Sequence, residues 1–119
     1  MTFQRLGDSE YRFMQLIWEK APIGSGELVK LAHERLGWKK STTYTVIKHL
    51  CEKGYIKNEN ATVQVLIPKE KAQQEEAQVF MERAFEGSLP KFLTAFFGGK
   101  KISDEQAEEI KKMIDSYKK

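Results

Sequence analysis

Residues 38–68 read WKKSTTYTVIKHLCEKGYIKNENATVQVLIP, and their hydrophobic period changes partway through. Ser41 opens a helix that continues to Lys53, and Gly54 closes it. At about 100° per residue, Thr43, Val46, Ile47, Leu50 and Cys51 fall on one side of that helix, which must face a core. Ser41, Thr42, Thr45, Lys48, His49 and Glu52 fall on the other. Beyond Gly54 the period becomes that of a strand. Tyr55-Ile56-Lys57-Asn58 predicts a short strand and Glu59-Asn60-Ala61 a turn; Thr62 to Ile67 then alternates, with Val63, Val65 and Ile67 on one face, until Pro68 stops it.

Upstream of this stretch, Tyr11, Met14, Ile17 and Trp18 recur at helical spacing, widened by Phe13 and Leu16, so a first helix is expected over Asp8 to Lys20. Gly7 or Asp8 can cap it, and Ala21-Pro22 ends it. Ile23-Gly24 bridges to Ser25, a good N-cap, and a second helix runs to about Arg35 on Leu28, Leu31, Ala32 and Leu36, with Gly37 as its stop. Three short helices and a hairpin, in that order, predict a winged-helix domain over residues 1–69. The second and third helices form a helix-turn-helix, and the third is the one to place in a major groove. Its outward face offers short hydroxyls at the N-terminal end, where the helix dipole favours a phosphate, then a lysine and a histidine; a merely solvated helix face is the alternative for this helix taken alone. Lys39 and Lys40, just ahead, suit the DNA backbone.

The rest of the chain has a different pattern. Residues 1–70 hold 11 basic and 8 acidic side chains, whereas residues 71–119 hold 9 of each, so all the excess positive charge lies in the first part. Over residues 70–119 three helices are expected. The first carries Ala77, Phe80, Met81, Ala84 and Phe85. The second is capped by Ser88 and carries Leu89, Phe92, Leu93, Phe96 and Phe97. The third is capped by Ser103, with Gln106 at the capping-box position, and carries Ala107, Ile110, Met113, Ile114 and Tyr117. Five of the seven phenylalanines lie in these last 49 positions. So short a segment cannot bury three strongly apolar stripes alone, which predicts a homodimer joined here, a tight intramolecular core against the first module being the alternative. The fold class expected is therefore mainly α with a small β-hairpin, a winged helix-turn-helix followed by a helical dimerisation domain.

Enzyme chemistry finds little support. His49 and Cys51 point to opposite sides of one helix and cannot form a dyad; Cys51 reads as a small core residue. His33 has no ligand at metal spacing, and Glu75-Glu76 and Glu108-Glu109 read as solvated pairs. There is no phosphate loop and no G-x-S-x-G. No metal, no cofactor and no catalytic residue are expected. A lone cysteine excludes an internal disulfide framework, and Met1-Thr2-Phe3-Gln4-Arg5 lacks the apolar core of a secretory signal, which predicts a cytoplasmic protein without a membrane partner.

Several segments together resemble the BlaI/MecI/CopY family of bacterial repressors, which includes the penicillinase repressors. They are Leu6-Gly7-Asp8-Ser9-Glu10, Met14, Ile17-Trp18, Gly26-Glu27-Leu28, Trp38 to Val46, Leu50, Lys53-Gly54-Tyr55-Ile56, and Val63 with Pro68. The resemblance covers nearly the whole chain. It implies a homodimeric repressor of a resistance or stress operon that binds a roughly palindromic operator in double-stranded DNA. It also implies induction by proteolysis within the dimerisation domain, through a sensor-linked protease. The family's Asn–Phe cleavage bond falls here on Ala95-Phe96, where the Phe matches and the Asn does not. Three departures stand out. His49 stands where penicillinase repressors often carry Arg. The wing tip reads Ala61-Thr62 where they read Gly-Arg, with Leu66 at their usual Tyr. The tail from Ile102 to Lys119 has no Cys or His, unlike the copper-responsive members.

The DNA contacts expected are accordingly Lys39, Lys40, Ser41, Thr42, Thr45, Lys48, His49 and, on the wing, Thr62. The dimer contacts expected are Phe80, Met81, Phe85, Leu89, Phe92, Leu93, Phe96, Ile110, Ile114 and Tyr117. A winged-helix module that pairs only with protein is the alternative, and it would normally show exposed apolar residues on the outward helix face instead of Thr, Lys and His. A repressor with a small-molecule pocket between the modules is a further one, for which no polar cluster argues.

Overall fold

The computed structural model describes residues 4–118; the reading of Met1-Thr2-Phe3 falls outside them. In chain order the elements are α1 (Asp8–Lys20), β1 (Ile23–Gly24), α2 (Ser25–Leu36), α3 (Lys40–Glu52), β2 (Ile56–Glu59), β3 (Thr62–Val65), α4 (Lys69–Phe85), α5 (Leu89–Phe97) and α6 (Asp104–Ser116). Two compact units divide between Gln78 and Val79, inside α4.

In the first unit every element contributes to one core. Phe13, Met14, Leu16 and Ile17 come from α1, Leu28 and Ala32 from α2, Ile47 and Leu50 from α3, and Ile56 and Val63 from the hairpin; Ala72 adds the start of α4. Loss of one such side chain, Leu50→Ala for instance, costs about 2–5 kcal/mol because the cavity closes only in part. Glu10 accepts from the Gly7 amide at 2.7 Å and so caps α1. Gly37, at φ 70°, ends α2 in the left-handed conformation. Trp38 then packs on Phe13, ring centroids 5.0 Å apart, which fixes the turn between α2 and α3 against α1.

The sheet corrects the expected boundaries. Ile23–Gly24 is a third strand, pairing antiparallel with Val63 and Thr62 to give the order β1-β3-β2. Two residues carry no readable period, and only the approach of the hairpin makes them a strand. Ser25 accordingly is not the N-cap of α2. Gly24 holds that place, and Ser25 is buried with its amide donating to the Ala61 carbonyl at 2.8 Å. β3 stops at Val65, two residues early, because the amides of Leu66 and Ile67 turn to the Tyr55 carbonyl, at 2.8 and 3.2 Å. Both central turn residues, Asn60 at φ 53° and Ala61 at φ 57°, are left-handed, as a two-residue hairpin demands.

The second unit is organised by aromatic rings. Phe92 stands 6.3 Å from Phe80, 5.5 Å from Phe85 and 5.7 Å from Phe96, centroid to centroid. Ser88 and Ser103 cap α5 and α6 as expected, accepting from Lys91 and Gln106 amides at 3.2 and 3.1 Å. Yet no residue of α5 or α6 is buried.

Candidate nucleic-acid interface

α3 carries the candidate site, and its two faces separate cleanly. Thr43, Ile47 and Leu50 are buried and hold the helix to the core. Val46 and Cys51 pack against that core at its edge. Burial raises the Cys51 thiol pKa, the effect being eased by the Asn58 backbone and reinforced by the nearby Glu52 charge; the side chain behaves as a packed apolar group, not a thiolate. Ser41, Thr42, Thr45, Lys48, His49 and Glu52 are all exposed, in agreement with the helical spacing.

The N-terminal end of α3 is basic. The helix begins at Lys40, one residue before the expected Ser41, with Lys39 as its N-cap residue. Lys39, Lys40 and Lys48 take part in no ion pair among the described residues, so their charges are available to an external anion. The Thr42 hydroxyl makes no hydrogen bond among those residues, whereas the Thr45 Oγ1 donates to the Ser41 carbonyl at 3.0 Å.

The C-terminal end of α3 is fixed by a polar cluster. Lys53 Nζ lies 2.6 Å from Glu10 Oε1 and donates to the Arg5 carbonyl at 2.7 Å. Arg5 in turn pairs with Glu76 of α4 at 3.1 Å. Burial works to raise the Glu10 pKa, but the Gly7 amide, the Lys53 ammonium and the neighbouring His49 outweigh it and hold the carboxyl below its ordinary value. Tyr55, fully buried, donates its hydroxyl to the Gln4 carbonyl at 2.8 Å. Burial, then the Glu76, Glu10 and Glu75 charges, push its pKa to about 12, so the phenol stays neutral.

Lys39, Lys40, Ser41, Thr42, Thr45, Lys48 and His49 thus occupy one short stretch, the start and exposed side of α3. His49 sits at its margin, close enough to Glu10 to act on that carboxyl. Thr62 lies apart on β3; it is half-buried, and its hydroxyl donates to the Asn60 carbonyl at 3.4 Å. The wing's Lys57 stands 3.8 Å from Glu59, which offsets its charge. Tyr44, 39% exposed, lies beside this face and is not among the contacts expected from the sequence. The helical spacing held the signal, since Tyr44 lies one step from buried Thr43 and one from exposed Thr45.

The dimer candidates and the Ala95-Phe96 bond belong to the second unit. Phe80, Leu89, Phe96, Ile110, Ile114 and Tyr117 are exposed, Tyr117 by 81%; Met81, Phe85, Phe92 and Leu93 are half-buried. Ala95 and Phe96 are exposed within α5. Elsewhere in the first unit, a cleft of about 890 Å³ is lined by Gln15, Trp18, Pro22, Val65, Pro68 and Lys69 among others, and no residue of α3 lines it. Among the described residues no group of three or more His, Cys, Asp or Glu could hold a metal ion, and no helix is long and apolar enough to cross a membrane.

Comparison with known proteins finds similarity over nearly the whole chain. The penicillinase repressor of Bacillus licheniformis is 22% identical over 119 residues, covering 96% of this chain and 92% of its own. The methicillin resistance regulatory protein MecI of Staphylococcus aureus is 21% identical over 114 residues, covering 92% and 93%. Among solved structures, a MarR protein from Peptoclostridium difficile matches with a TM-score of 0.43 at 19% identity, over 93% of this chain and 67% of that one. The family profile described as penicillinase repressor matches residues 6–116, spanning the winged helix-turn-helix and all three C-terminal helices, and the chain belongs to that family.

Proposed function

We propose that the chain is a homodimeric DNA-binding transcriptional repressor and not an enzyme. The observation that carries this reading is the exposed face of α3. It presents hydroxyls and lysines free of ion pairs, while its opposite face is held in the core and its far end is tied to α1 by Lys53 and Glu10. A rigid helix with a cationic start and short polar side chains can lie in a major groove, with Lys39, Lys40 and Ser41 on the phosphates and Thr42, Thr45, Lys48 and His49 toward base edges. The wing, with Thr62, adds little positive charge.

The second unit supplies the dimer in this reading. The ten apolar side chains expected at the dimer interface, from Phe80 to Tyr117, stand exposed or half-exposed, and a second copy is the partner that covers them most simply. Two α3 helices related by a two-fold axis would read a roughly palindromic operator with half-sites about 34 Å apart or a multiple of it. Release through cleavage at Ala95–Phe96 requires α5 to open first, since that bond lies inside a helix.

Fluorescence anisotropy tests the reading directly, with a duplex from upstream of the chain's own gene and a scrambled duplex, each at two salt concentrations. Preferential binding to the upstream duplex, steeply weakened by salt and saturating at two chains per duplex, is expected. Equal, weak binding to both, together with no enrichment of any sequence from a random duplex pool, would end it.

A further inference from the structure

Two exposed threonines of α3 are in different chemical states. Thr45 Oγ1 donates to the carbonyl of Ser41, one turn back, at 3.0 Å. A threonine Cβ bears a hydroxyl, a methyl and a hydrogen. With the hydroxyl held against its own helix, the methyl is the substituent left to meet whatever faces this side. Thr42 is also exposed, but its hydroxyl makes no hydrogen bond among the described residues and is available. Thr43 makes the same backward bond, to the Lys39 carbonyl at 3.2 Å, but it is fully buried and its methyl packs in the core.

Ser41, Thr45, Lys48 and Glu52 follow one another along the exposed face, so the Thr45 methyl is an apolar spot in a polar row. In the major groove one base alone carries an apolar group on its edge, thymine with its C5 methyl. A methyl in that row is suited to a thymine methyl and poorly suited to a phosphate oxygen or to the donor of cytosine. We propose that Thr45 is a specificity-determining residue that selects a thymine in each half-site through methyl–methyl contact, while Thr42 supplies the hydroxyl contact nearby. The proposal rests on the DNA-binding reading above.

The test uses the full-length protein and the duplex it enriches from a randomised pool. Uracil lacks only the C5 methyl of thymine, so each thymine is replaced singly by uracil and affinity is measured again. At one position per half-site, uracil weakens wild-type binding about fourfold for each methyl lost. Thr45→Ser, which keeps the hydroxyl, loses about the same on the thymine duplex and shows no further penalty with uracil there. Thr45→Val, which keeps the methyl, binds the thymine duplex like the wild type. If uracil costs nothing at any position, or Ser retains affinity while Val loses it, the assignment of Thr45 is wrong although the repressor reading stands. A pool that yields no enriched duplex overturns both.

Discussion

Lys48 and Ala61 show how a single side chain bears on function and on stability. Lys48 projects from the middle of the exposed row of α3 with no ion pair among the described residues. If it meets a phosphate, Lys48→Ala weakens binding to all duplexes alike and flattens the salt slope by about one unit. If it reads guanine, the loss depends on sequence and amounts to about 1–3 kcal/mol. Unchanged binding would remove α3 from the interface. Ala61 bears on stability alone. It holds φ 57° at the wing tip, where an L-residue with a Cβ is strained. Ala61→Gly should therefore raise stability by roughly 0.5–1 kcal/mol, seen as a higher urea midpoint with an unchanged slope. That strain could not be read from composition or period, because Glu59-Asn60-Ala61 reads as a turn whichever residue takes the left-handed position.

At the scale of elements, the fixing of α3 depends on ionisation. The Glu10 carboxyl is held below its ordinary value of 4.5, so its ionised form favours the folded state. That contribution is complete above the unfolded-state value and is lost as pH falls through the lower folded one. Thermal melts of wild type and Glu10→Gln should thus differ at neutral pH and converge below about pH 4.5, the difference shrinking as the wild-type carboxyl protonates. A gap that stays constant into strong acid would show that the Lys53–Glu10 pair adds nothing. Glu10 and Lys53 stand 43 residues apart, and no local pattern in either helix pairs them. The same limit hid β1, whose two residues become a strand only when Val63 and Thr62 arrive alongside.

For the whole molecule, the second unit contains ring-on-ring contacts but buries no residue of α5 or α6. Phe96, 63% exposed, is the point at which to challenge a dimer. Phe96→Asp should shift sedimentation equilibrium from dimer to monomer and weaken operator binding, because two half-sites no longer bind as one unit. Circular dichroism at matched concentration shows whether the helices persist. A variant that stays dimeric places the interface away from α5.

What the sequence determined by itself is the order and kind of the longer elements, because each has enough residues to declare a period. The six helices, the hairpin and the split of α3 into a core face and an exposed polar face were all legible, as was the family signature. Tertiary structure decided what depends on residues far apart in the chain. It made Ile23–Gly24 a strand, moved Ser25 from cap to buried helical residue, tied Lys53 to Glu10 and set the edge of β3 by the Tyr55 carbonyl. It also turned the Thr45 hydroxyl back on its own helix, a rotamer that the residue's identity leaves open. Periodicity reports which face a residue takes; only the folded chain settles which atom of that residue is left to act.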